Sequence, residues 1–161
     1  MTENNEKKEA IFRLENILIK NMSLEMPENV VTPTFNATPT IKLELRNISR
    51  QLSRDNYYEV VLETTTKVLS GENVQLLVEI SQGGIFYIEN VEAKQRERLL
   101  NVHAPEMLYP YISQLLSDLM MRAGAPRIFL PPFNFRALHQ KKLKAMEEQL
   151  SQEKGEKGTV S

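Results

Sequence analysis

The side chains best suited to chemistry are sparse and poorly placed for it. The only imidazoles are His103 and His139, and there is no cysteine. A nucleophilic centre needs a nucleophile beside a base, and a metal centre needs clustered ligands. Both histidines fall at the ends or polar flanks of helical segments, where a solvated or capping role is the simpler reading. Gly83-Gly84 sits inside a strand pattern with no GxxxxGK[ST] or GxGxxG frame. That predicts a kink, a bulge or a close backbone approach rather than a phosphate cradle. The basic run Lys141-Lys142-Leu143-Lys144 precedes Glu147 and Glu148, the pattern of an exposed, charge-paired helix face. Two loops stand out instead. Residues 27–39 hold Pro27, Pro33, Pro39 and Phe35, and residues 127–135 hold Phe129, Phe133 and Phe135. Aromatic side chains on proline-rich loops can capture apolar partners, because burial of apolar area is non-directional.

These loops need a frame, and the first two-thirds of the chain supplies a period of two. From Phe12 to Met26 the even positions Phe12, Leu14, Leu18, Met22, Leu24 and Met26 are apolar, with a blur over Ile17–Lys20 that predicts a bend or bulge. Further strands are predicted over Thr40–Ile48, Tyr57–Leu69 and Val74–Ile88, the last two joined by a hairpin turn at Ser70-Gly71-Glu72-Asn73. Val74, Leu76, Val78 and Ile80 face the core, while Gln75, Leu77, Glu79 and Ser81 face out. Four strands with one apolar face each predict an antiparallel sheet covered on one side.

The last third changes period. Glu92–His103 is a charged helix candidate that Pro105 and Pro110 interrupt or restart. Leu108, Ile112, Leu115, Leu116, Leu119 and Met120 then form a stripe wider than one sheet requires, so a partner subunit is expected on the second side. Gly124 and Pro126 end this helix, and Asn134 caps a final one from Phe135 to about Leu150. The fold class is α+β: a four-stranded antiparallel sheet with one face covered by a long helix, and a second C-terminal helix. The expected organisation is a flexible segment over 1–10, a domain over 11–150 and a disordered tail over 151–161.

Composition bounds the function. The 20 basic and 21 acidic residues cancel to a net charge of −1, which argues against steering toward nucleic acid or anionic membrane. No apolar run reaches the ~18 residues of a membrane span, and no leader pattern opens the chain. The sequons at Asn21, Asn36 and Asn47 are therefore read as chance matches. Lack of Cys fits a reducing compartment.

At Gln82-Gly-Gly-Ile-Phe86, then Ile88, the chain resembles the SecB protein-export chaperone family. The resemblance continues at Leu108-Tyr-Pro-Tyr-Ile112 and at Leu130-Pro-Pro-Phe-Asn-Phe-Arg-Ala-Leu138, and spans roughly Ile11 to Gln149. Arg136 stands where the family usually has an acid, Ala125 interrupts a usual G-F/Y-P, and Asn21 replaces a common acid. The resemblance implies a cytoplasmic homotetramer, a dimer of dimers, with the long helices buried between sheets. It implies that unfolded preproteins are held and passed to the SecA motor, with no cofactor, nucleotide or metal, no enzymatic activity and no membrane insertion. Phe35, Phe86, Phe129, Phe133 and Phe135 are the expected client groove, between the two loops. Glu25, Leu77 and Glu79, with Asn21 as the departing position, are the expected SecA face. Leu108, Ile112, Leu115, Leu116 and Leu119 are the expected oligomer interface. Two other readings stand beside this one. The first is a SecB-like chaperone of a toxin–antitoxin module. The second is a hot-dog thioesterase, which would need Asp118 or Glu97 on the apolar stripe, where neither lies.

Overall fold

The computed structural model describes residues 7–35 and 39–157. The strands β1 (Ile11–Glu25), β2 (Thr40–Gln51), β3 (Tyr57–Ser70) and β4 (Asn73–Glu89) make one antiparallel sheet in the order β1-β4-β3-β2. Val60, Leu62, Val68, Leu76, Val78, Ile80, Phe86 and Ile88 are buried along one face, as the alternation predicts. Ser70 pairs with Asn73 across a two-residue turn, where Gly71 takes the left-handed φ of 62°.

The blur in β1 resolves into two bulges. Register against β4 shifts between Leu14 and Asn16 and again between Ile19 and Asn21. Each extra residue reverses side-chain parity, so two of them restore it. Between the bulges Ile17 and Ile19 turn to the helix side, and Leu18 turns to the outer face, where its side chain lies against Gly83. The inward placement expected of Leu18 is thereby corrected. Val74, expected in the core, instead borders the outer face beside Leu77, and Gln75 also departs from the alternation. It is the unpaired residue at the β3–β4 shift and is buried, its Oε1 accepting a hydrogen bond from Thr34 N.

The helical region is not interrupted at Pro105. α1 (Ala93–Arg98) runs through a π-helical turn (Leu99–His103) into α2 (Ala104–Arg122). The Ala104 N–H reaches back five residues to Leu99 O. A proline ring crowds the carbonyl four residues earlier, and the wider π turn just upstream relieves that clash. Leu108, Ile112, Leu116 and Met120 pack on the sheet. Gly84 is the expected close approach: a Cβ there would lie 2.7 Å from the Phe86 ring and 2.9 Å from Leu108. Ala125 N bonds Met120 O behind Gly124 (φ 74°), which ends α2. Asn134 Oδ1 then accepts from Ala137 N and caps α3 (Phe135–Lys157).

α3 continues through 151–157, so the disorder expected there is corrected. Gln152, Glu153 and Lys154 are good helix formers even though they stay exposed. The expectations for 1–6 and 158–161 lie outside the described residues.

Candidate functional site

Between α2 and α3 the chain crosses residues 125–134 as an extended strap. Ile128 and Leu130 turn into the core, while Phe129 between them is 75% exposed. Two side chains of α2 hold the strap. The Ser117 hydroxyl donates to Ile128 O, and the Tyr109 hydroxyl donates to Pro131 O at 2.6 Å. Burial pushes the Tyr109 phenol above its ordinary range, which keeps it a donor. Among the described residues the N–H groups of Arg127 to Leu130 have no acceptor. Pro110, Ser113 and Gln114 of α2 face Arg127 and Phe129 across a depression of about 390 Å³.

Phe133 is half-buried against Tyr109 and Phe135, with ring centroids 6.3 and 4.9 Å away. Phe35 is half-buried against the core and makes no ring contact among the described residues. Two expected groove residues are corrected. Phe86 and Phe135 are 0% and 1% exposed, and Phe86 stacks on Phe12 at 5.4 Å. Both belong to the core, because Gly84 leaves room for Phe86 under α2, and Tyr109 meets Phe135 edge-on at 5.7 Å.

The outer sheet face is organised in rows across strands. Glu25, Leu77 and Lys67 form one; Ser23, Glu79 and Thr65 the next; Asn21, Ser81 and Glu63 a third. An open depression of about 380 Å³ beside Leu77 is walled by Met26, Pro27 and Val74. Farther along this face Glu59 is almost wholly buried between two cations. Arg50 Nε lies 2.9 Å and Lys20 Nζ 3.0 Å from its carboxylate. Lys20 crosses β4 over Gly83, which has no side chain to block it.

The family described as preprotein translocase subunit SecB matches residues 5–146. The chain belongs to the SecB family. The protein-export protein SecB of Legionella pneumophila strain Corby is 36% identical over 140 residues, 87% of this chain and 86% of that one. That of Pseudomonas savastanoi pv. phaseolicola is 34% identical over 156 residues, 97% of this chain and 93% of that one. A SecB-like chaperone of Mycobacterium tuberculosis, solved with a ChAD peptide from the HigA1 antitoxin, shares the fold. Its TM-score is 0.65 over 76% of this chain and 90% of that one, at 13% identity. The SecB family is one of preprotein-export chaperones rather than enzymes, so the thioesterase reading falls away.

Within this SecB chain the expected interface residues divide. Leu108, Ile112 and Leu116 are 0% exposed in the single chain, so assigning them to a contact between subunits is corrected. The chain's own sheet covers them. Leu115 and Leu119 are half-buried against the core, and Met107, Tyr111 and Met121 are exposed. Exposed Ile19 lines a shallow depression of about 270 Å³ with Tyr111, Leu115 and Asp118. The strap latches went unread in the sequence. Ser117 carried the one available signal, a hydroxyl one residue from the stripe position Leu116 on a helix face that must be buried.

Proposed function

We propose that this SecB chain holds unfolded preproteins in an export-competent state without ATP and delivers them to SecA in the cytoplasm, as a homotetramer built as a dimer of dimers. The strap carries this reading. It offers an exposed Phe129, an apolar-walled depression and a row of unpaired N–H groups on one stretch of backbone. An unfolded chain presents apolar side chains and unpaired carbonyls in an extended form, and both find partners there. Neither interaction reads a sequence, so many preproteins can be held. Phe133 and Phe35 extend the apolar surface.

The row of Glu25, Leu77 and Lys67, with Glu79 next to it, is the proposed SecA face. The depression beside Leu77 suits an apolar anchor, and Glu25, Glu28 and Glu79 suit a basic flank. Asn21 supplies no charge there; Glu63, two strands away in the same row, is the nearer substitute, while Glu15 is tied to Arg13. The proposed tetramer is supported by the edge position of β1 in the sheet and by the exposed Met107, Tyr111 and Met121 of α2. The toxin–antitoxin role has only a fold likeness at 13% identity behind it.

One crossed experiment tests both surfaces. Phe129→Ser and Leu77→Arg are each measured for delay of preprotein refolding without ATP and for SecA binding. Burying one Phe contributes roughly 1.5–3 kcal/mol, so Phe129→Ser weakens holding about tenfold or more while SecA binding persists. Leu77→Arg does the reverse. Wild-type holding by Phe129→Ser would place the groove elsewhere.

A further inference from the structure

The chain is electrically balanced as a whole, but its cations are not evenly spread. Residues 93–103 and 135–146 hold Lys94, Arg96, Arg98, Arg136, Lys141, Lys142 and Lys144 against a single acid, Glu97. None of these seven forms an ion pair among the described residues. α1, the π turn and the first half of α3 enclose a depression of about 640 Å³ between them. Lys94, Arg98 and Arg136 stand around it with Glu97 between them on the α1 side, and Val102 and Leu143 supply apolar surface inside. His139 and Gln140 complete the α3 wall, and Glu147 closes one end. Residues 140–150 of α3 are exposed, and Met146 and Leu150 continue an exposed apolar line from Leu143.

We propose that this depression docks an acidic segment of a partner protein, one whose carboxylates alternate with apolar anchors. The unpaired cations select the carboxylates, and Val102 and Leu143 receive the anchors. Concavity favours inserted side chains over a flat lipid surface, and Glu147, Glu148 and Glu153 on the same helix repel an anionic bilayer. This surface is separate from the strap and from the outer sheet face, so it adds a second specificity: the aromatic strap takes apolar segments of any charge, and this one takes acidic segments.

The test uses the full chain and a fluorescein-labelled peptide alternating Glu with Leu and Phe. A matched peptide carrying Gln in place of Glu is measured beside it by anisotropy. The Glu peptide binds tighter than the Gln peptide, and its binding weakens as salt rises. Arg98→Glu combined with Arg136→Glu weakens it roughly tenfold and leaves preprotein holding unchanged. Both positions are exposed on helices; Arg98→Gln with Arg136→Gln gives a smaller loss in the same direction should charge reversal disturb the fold by circular dichroism. Equal binding of the Glu and Gln peptides, or wild-type binding of the Glu peptide by both double variants, overturns the proposal. So does a loss confined to vesicles of phosphatidylglycerol, which would assign the cations to lipid.

Discussion

Gly84 sets the distance between helix and sheet, and its neighbour Gly83 sets a path for a side chain. Both glycines exclude a Cβ, but for different reasons, and substitution separates them. Gly84→Ala drives a methyl into the Phe86 ring and Leu108, both locked in the core, and costs about 1–3 kcal/mol in urea unfolding. Gly83→Ala meets Lys20 Cγ at 3.1 Å and Leu18 Cγ at 3.3 Å; the flexible lysine yields, so the loss is smaller. A Gly83→Ala variant as unstable as Gly84→Ala would contradict this assignment. Glu59 is the third residue with a calculable consequence. Its hydrogen bond from Arg50, with Lys20 adding, holds the carboxyl below the ordinary value of 4.5, although burial opposes this. A folded-state value below the unfolded one stabilises the fold fully above the unfolded value, and that contribution is lost as pH falls through the folded one. Glu59→Gln therefore flattens the acid limb of stability below about pH 4.5, and at neutral pH it costs about 1–2 kcal/mol. Unfolding midpoints across a pH series read both effects.

At the scale of elements the strap and the helix depend on each other. The strap has no backbone ladder of its own, so Ser117 and Tyr109 fix its height on α2. Removing both hydroxyls, as Ser117→Ala with Tyr109→Phe, costs roughly 0.5–1.5 kcal/mol each in unfolding. The larger expected change is local: faster amide exchange and earlier proteolysis within 125–134, with weaker preprotein holding. An unchanged exchange rate there would show that Ile128 and Leu130 alone hold the strap. Because the Tyr109 value is raised, its latch holds through the ordinary phenol range of about 10 and is lost only as pH rises beyond it. The π turn belongs to the same scale. Asn47 Nδ2 on β2 donates to Leu100 O within it and ties the turn to the sheet edge.

For the whole molecule the decisive question is which apolar surface the single chain leaves uncovered. Tyr111 is exposed beside β1 and Leu119 is half-buried against the core, whereas Leu116 is spent inside it. Tyr111→Asp therefore dissociates the proposed tetramer into folded smaller species, and Leu116→Asp unfolds the chain, since an unpaired buried charge is strongly disfavoured. Light scattering gives about four chain masses for the wild type, and circular dichroism separates the two outcomes; a monomeric wild type would end the tetramer proposal. The sequence by itself determined the sheet, its covered face, the hairpin, both helix caps and the family. Those features follow from local chemistry: alternation is a property of strands, capping of single residues, and both are printed along the chain. It also marked Leu77 as outward. What it left undecided was which half of an overwide apolar stripe the chain's own sheet consumes, and which phenylalanines of an aromatic loop fall inside. Phe135 and Phe86 are buried because Gly84 lets α2 descend and because Tyr109 closes over the loop. Such packing depends on residues far apart in sequence meeting at a few ångströms, and only the tertiary structure sets those distances.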